Sequence, residues 1–112
     1  MGRGEGGRTR EVGLVIELNG QHLQSVEDAH REFARQAELP FYGANLDAFW
    51  DALTGMVERP LTIRWVNADE SFKRFPQEMA AFEQVIEEVR QEERQKHSPW
   101  PELIYERVGG SP

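Results

Sequence analysis

Residues 39–58 read LPFYGANLDAFWDALTGMVE, and the other signals in the chain are arranged around them. No lysine or arginine falls between Arg35 and Arg59, while Glu38, Asp47, Asp51 and Glu58 stand among Phe41, Tyr42, Phe49 and Trp50. Gly43 marks a turn, Asn45 is a good N-cap, and Leu46, Phe49, Trp50 and Leu53 recur at helical spacing. These signals predict a helix of about ten residues, stopped by Gly55 as a C′ residue and barred from continuing by Pro60. At roughly 100° per residue its apolar stripe is centred near Leu46 and Leu53, with Trp50 on one shoulder and Asp47, Asp51 and Thr54 beyond it. The two carboxylates therefore share an exposed face. Asp47 lies in the first turn, where the positive end of the helix dipole favours an anion, but Asp51 sits a turn further on and gains little. Like charges four residues apart cost about 0.2–0.5 kcal/mol, so helix stability does not account for both acids.

A chain of 112 residues suits one domain with a single modest core. The formal charge of -7 is uneven, because residues 1–11 hold three arginines and two glutamates and leave ten bases against eighteen acids in the rest. An acidic body argues against binding phosphate backbones and for attraction to a basic partner, so nucleic acid is not expected as a ligand. The chain has no cysteine, hence neither disulfide nor thiol chemistry, which is compatible with the cytoplasm. No apolar run approaches the ~20 residues of a membrane span and the start of the chain lacks a signal-peptide core, so no membrane role is expected.

Residues 1–10 are rich in glycine and arginine without apolar periodicity and read as a disordered tail, leaving 11–110 as the folded domain. Residues 12–18 read as a first strand, central and buried, closed by the turn dipeptide Asn19-Gly20. Ser25 and Asp28 form a capping-box pattern before a helix with the apolar face Ala29, Phe33 and Ala37, ending near Leu39 and Pro40. His30 lies beside that face without metal-ligand company and reads as a hydrogen-bonded core or boundary residue. Residues 61–66 make a second strand straight after Pro60, with Arg64 on an exposed edge or paired with an acid. Asp69 is placed to cap a short helical turn. From about Gln77, Met79, Phe82, Ile86 and Val89 signal a long helix with Glu87, Glu88, Glu92 and Glu93 outward and Lys96 and His97 at its C-terminal end. The SPWP run at 98–101 breaks the chain before a third strand over 103–108. Strands alternating with helices imply a parallel sheet in an α/β fold.

Asp47 and Asp51 on one helix face fit a solvated surface, a recognition face, or an acid–base or magnesium site. Nothing in the sequence completes a catalytic set: there is no phosphate-binding glycine loop, no HExxH, no paired metal histidines and no cysteine nucleophile. No catalytic residue, metal ligand or cofactor is expected. By spacing alone, Phe49 and Trp50 are core residues, with Trp50 able to serve a contact as well.

The run LPFYGANLDAFWDALTG, followed by Glu58, Pro60 and the strand-like LTIRW, resembles the barstar family, intracellular protein inhibitors of small secreted microbial ribonucleases. The likeness extends more loosely over residues 15–89, including the opening ELNGQHLQSVEDAH. It implies a small three-stranded parallel sheet in sequential order packed with helices. It also implies that the loop and helix plug a nuclease active site, with acids where RNA phosphates would lie. By position, Asp47 is the acid of the family's NLD, Trp50 and Asp51 belong to FWD, and Gly43, Asn45 and Gly55 fall on contact or loop-shaping positions. Asp51 is then the dominant anchor, because an acid held ready on a helix pairs with cations of a nuclease site at low ordering cost.

Between Pro40 and Gly43 only Phe41 and Tyr42 remain, where the family often has one more residue and a second tyrosine. The contact ring comes from these two, with Tyr42 expected at the interface rim and Trp50 at the boundary of core and interface. Met56 replaces a second family tryptophan, Glu58 keeps an acid on the rim, and Glu88 is the best match to an acid on the last long helix, with Glu87 and Glu92 as register alternatives. The implied partner is a small basic guanyl-specific ribonuclease, bound one to one by a chain that is a monomer when free. The rival reading is an acidic protein-interaction module of the same fold with a non-nuclease basic partner.

Overall fold

The computed structural model describes residues 13–96 and 103–109. The expected tail, Val12, His97 and the SPWP break lie outside them. Seven elements follow in order: β1 (Leu14–Asn19), α1 (Val26–Ala37), α2 (Leu46–Gly55), β2 (Leu61–Val66), α3 (Ala68–Arg74), α4 (Pro76–Gln95) and β3 (Leu103–Arg107).

The three strands form one parallel sheet in the order β1-β2-β3, so β2 and not β1 is central. The sequence misleads here because β1 and β2 carry similar apolar runs, and periodicity does not say which neighbour a strand will have. In-register rows decide which face is buried. Leu14, Leu61 and Leu103 align, as do Ile16 and Ile63, and Leu18 and Trp65, and all seven are buried. The neighbouring row Glu17, Arg64 and Glu106 stands on the opposite face, where Arg64 pairs with Glu106 at 3.2 Å. Arg64 thus has the expected acid partner but on the central strand. With both side chains half exposed, the pair contributes little stability.

Each helix begins and ends for a local reason. Ser25 caps α1 by accepting from the Asp28 amide at 3.3 Å, and Asp28 accepts in turn from the Gln24 amide at 2.8 Å. α1 stops at Ala37 because Glu38 turns left-handed, at φ 58°, and its N–H closes onto the last turn. α3 starts from Asn67, also left-handed at φ 50°, so Asn67 and not Asp69 holds the cap position, with Asp69 in the first turn. Pro76 opens α4 at a position where a missing N–H costs nothing. Met79, Phe82, Ile86 and Val89 are all buried along α4, as their spacing predicts. Glu93 departs from that prediction: it turns inward and pairs with the guanidinium of Arg59.

The core is a chain of edge-to-face rings, with Phe33 to Phe49 at 5.0 Å, Phe49 to Phe82 at 4.8 Å and Phe82 to Trp65 at 5.5 Å between centroids. These rings join α1, α2, α4 and the central strand into one packed unit. The Trp65 indole N–H donates to the buried Ser71 hydroxyl at 3.0 Å, so its polar atom is not stranded. At the outer edge of β1, the Gln36 side chain behaves like a short strand: its carbonyl accepts from Glu17 N–H at 2.9 Å and its amide donates to Glu17 C=O at 2.8 Å. Gly13, at φ 67°, lies so close to Pro60 that a Cβ would fall 2.1 Å from the Pro60 carbonyl oxygen. No helix of the described residues is long and apolar enough to cross a membrane.

Candidate functional site

α2 and the loop before it form the acidic face that the sequence singles out. Asn45 starts the helix by accepting from the Ala48 amide at 2.8 Å, and its own side-chain amide reaches back to the Gly43 carbonyl at 3.4 Å. The loop is thereby tied to the helix it precedes. The left-handed turn falls on Ala44, at φ 58°, and not on Gly43.

The buried line of α2 is Phe49, Ala52 and Leu53, whereas Leu46 is 36% exposed. Leu46 opens the helix, and Phe49 is the residue that lands against Phe33 and Phe82, so the stripe is rotated from its expected centre. Trp50 remains on the shoulder, partly buried against the core, and Asp47 and Asp51 are both exposed as predicted. Gly55 is the last helical residue and Met56 the cap, one position later than expected, because Met56 N–H still reaches the Ala52 carbonyl at 3.1 Å. A Cβ on Gly55 would meet nothing within 4 Å, so the fold itself does not require a glycine there.

The two loop rings part company. Phe41 is 97% exposed, whereas Tyr42 is half-buried rather than on an open rim. Its ring packs 5.7 Å from Phe33 and its hydroxyl lies 2.6 Å from His30 Nδ1. Burial pushes the Tyr42 phenol well above its usual range and holds the His30 imidazole below its own, against the opposing pull of Glu27. Both groups favour their neutral forms at pH 7, and one hydrogen bond joins the hydroxyl to Nδ1. His30 is thus a hydrogen-bonded core residue, as its surroundings in sequence suggest.

Leu39, Phe41, Tyr42, Ala48, Asp51 and Met56 surround a hollow of about 320 Å³, apolar on its walls and carrying the Asp51 carboxylate. Met56 is 62% exposed beside it. Ala48 and Leu39 were not foreseen in this setting, although Ala48 stands one turn before Asp51 and so shares its face. Glu58 is exposed beyond the helix end, and Glu88 is exposed on α4, where it accepts from Gln84 at 3.1 Å. Glu87 is also exposed and paired with Arg90 at 3.0 Å, and Glu92 is half-buried. None of these three helix acids lines the hollow. A wider groove between β1 and α1 offers about 700 Å³, but both of its arginines are engaged by its own acids, Arg31 with Asp28 and Arg35 with Glu32. Among the described residues, no three His, Asp or Glu side chains converge as a metal-ligand group.

A three-stranded parallel sheet packed with helices, one of them presenting an acidic face beside an apolar hollow, defines an α/β protein of barstar type. The chain belongs to the barstar family, whose family model, described as Barstar (barnase inhibitor), matches residues 14–103. It is also 41% identical over 49 residues to a Bacillus subtilis (strain 168) protein named "Putative ribonuclease inhibitor YrdF". That match takes in 43% of this chain and 54% of the relative, so the chain spans about half the length of the curated relative.

Proposed function

We propose that this chain inhibits a small basic guanyl-specific ribonuclease by laying its acidic loop and helix over the nuclease active site, one to one, in the cytoplasm and without catalysing a reaction. One observation carries the reading. Asp28, Glu32, Glu70, Glu83, Glu87, Glu93 and Glu106 all hold an arginine or lysine of this chain. The Asp47 and Asp51 carboxylates have no ion-pair or hydrogen-bond partner among the described residues and stand exposed on one face of α2. A pair of free carboxylates held on a capped helix suits a site that itself binds phosphates, because such a site must be electropositive.

In this reading Asp51 is the anchor, Asp47 and Glu58 flank it, and Glu88 adds an acid from α4. Phe41 and Met56 supply apolar contact, Tyr42 and Trp50 support the surface from behind, and Gly43, Asn45 and Gly55 shape the loop and helix end. Residues 11–110 are taken as one domain, monomeric when free. Family membership and the name of the Bacillus relative support ribonuclease inhibition in general. Titrating the chain into a basic guanyl-specific ribonuclease should abolish activity with an end point at one equivalent; full activity at a several-fold excess of the chain would sink the proposal. Met56, where the family has a second tryptophan, favours one alternative, a barstar-fold module for a non-nuclease basic protein. A stable complex that leaves nuclease activity intact would select it.

A further inference from the structure

Arg59 is the first base after the acidic stretch, yet its charge is turned away from the acidic face. Its side chain is only 17% exposed. Nε donates to Glu93 Oε2 at 2.7 Å and Nη1 to the Val57 carbonyl at 3.0 Å, while Nη2 donates to both the Leu53 carbonyl and Glu93 Oε2. The end of α2 needs such a donor. Met56 N–H and Val57 N–H both bond to the Ala52 carbonyl, at 3.1 and 3.0 Å, so the Leu53 carbonyl lacks the amide that would ordinarily reach it four residues on. α2 has no base in its last turn and no left-handed cap. The Arg59 fork fills both gaps, closing the loose carbonyl and placing a cation at the negative end of the helix.

The arrangement is a poor device for stability alone. Glu93 Oε1 is buried without a hydrogen-bond partner among the described residues, and an incompletely satisfied carboxylate offsets much of the Coulomb gain of a partly buried pair. What the pair supplies is orientation: one guanidinium joins two carbonyls at the end of α2 to a carboxylate on α4. We infer that Arg59 is a positioning residue for the acidic face, a strut from Glu93 that fixes the last turn of α2, and with it Asp51 and Met56, against the core. Its consequence for binding rests on the inhibitor reading above, because an acid held in place before encounter loses less freedom on binding.

The test compares the full chain with Arg59→Met, Arg59→Lys and Glu93→Gln by native-state hydrogen exchange, urea unfolding and inhibition kinetics. In Arg59→Met the Met56 and Val57 amides should exchange about tenfold faster relative to those of β2. Arg59→Lys should recover little of this, since a compact ammonium lacks the planar fork whose separate nitrogens span the Leu53 carbonyl, the Val57 carbonyl and Glu93. The dissociation rate of the inhibited complex should rise about tenfold, while association, set by the untouched Asp47, Asp51 and Glu58, stays within about twofold. Exchange at the end of α2 that rises only in step with β2, or an unchanged dissociation rate, would overturn the strut. Should Arg59→Met fail to fold, Glu93→Gln keeps the packing and must show the same local excess in exchange, and its absence there overturns the inference too. If the parent inhibits no ribonuclease, the inhibitor reading fails by itself, and the exchange pattern still decides the role of Arg59.

Discussion

Asp51 sets binding against stability in a single side chain. It is exposed, gains little from the helix dipole and repels Asp47 one turn away, so Asp51→Asn should leave α2 intact and raise stability by about 0.2–0.5 kcal/mol. If Asp51 is the anchor proposed above, the same substitution should cost ~2 kcal/mol or more of binding. Urea unfolding and ribonuclease inhibition measured on one preparation separate the two effects, and equal inhibition by parent and variant would reduce Asp51 to a solvated acid. Gly55 makes the same contrast from the opposite side. Open space around it means that Gly55→Ala should stabilise the helix end by about 0.5 kcal/mol, yet weaken inhibition if a partner lies against that turn. The two aspartates were legible from spacing alone, since charge and a period of 3.6 place them unambiguously. Which of two adjacent loop residues turns left-handed was not. Glycine was the natural candidate, but the backbone assigns that turn to Ala44, where the sequence carries no signal.

At the level of elements, apolar periodicity located α1, α2, α4 and all three strands to within a few residues. It failed where a tertiary neighbour chose between equivalent options. Leu46 and Phe49 both suited a buried stripe, and the rings of α1 and α4 selected Phe49. Trp50 on the shoulder was read correctly, and Trp50→Ala should weaken both inhibition and fold, the latter by less than the ~3–5 kcal/mol of a fully buried aromatic. A denaturation midpoint equal to the parent's would show that the shoulder contributes no packing. The end of α1 offers a change that touches stability alone. Glu38 holds a left-handed conformation that favours glycine, so Glu38→Gly should stabilise the chain by about 0.5–1 kcal/mol with inhibition unaltered. A loss of stability on thermal or urea unfolding would mean that the Glu38 side chain does something there beyond ending the helix.

Across the whole molecule, charge and burial give two responses to solution conditions. The acidic body should speed encounter with a basic partner, so association rates should fall as salt shortens the Debye length from about 10 Å at 0.1 M. Stopped-flow rates that stay flat with salt would exclude steering. For pH, His30 is held neutral by burial, so its folded pKa lies below the unfolded value near 6.5. Its contribution is therefore present in full above that value and is lost as pH falls below it, because the unfolded chain takes up a proton that the folded chain resists. His30→Gln should flatten the decline in unfolding free energy between pH 7.5 and pH 5.5, and an undiminished slope would assign the decline to other groups. Charge was legible in composition, but the burial behind this pH response was not, because it depends on Tyr42 and Phe82 arriving from distant segments.

The Gln36 amide bears on how copies of the chain meet one another. β1 is an edge strand, and an edge strand offers free backbone groups on which a neighbouring chain can zip. By engaging both the N–H and the C=O of Glu17, one glutamine side chain occupies the middle of that edge. It is placed to act as a built-in chain terminator for strand addition. Gln36→Ala should reopen the edge and yield larger oligomers than the parent, growing with protein concentration in sedimentation velocity, whereas a variant that sediments like the parent at millimolar concentration would show that the edge needs no such stopper.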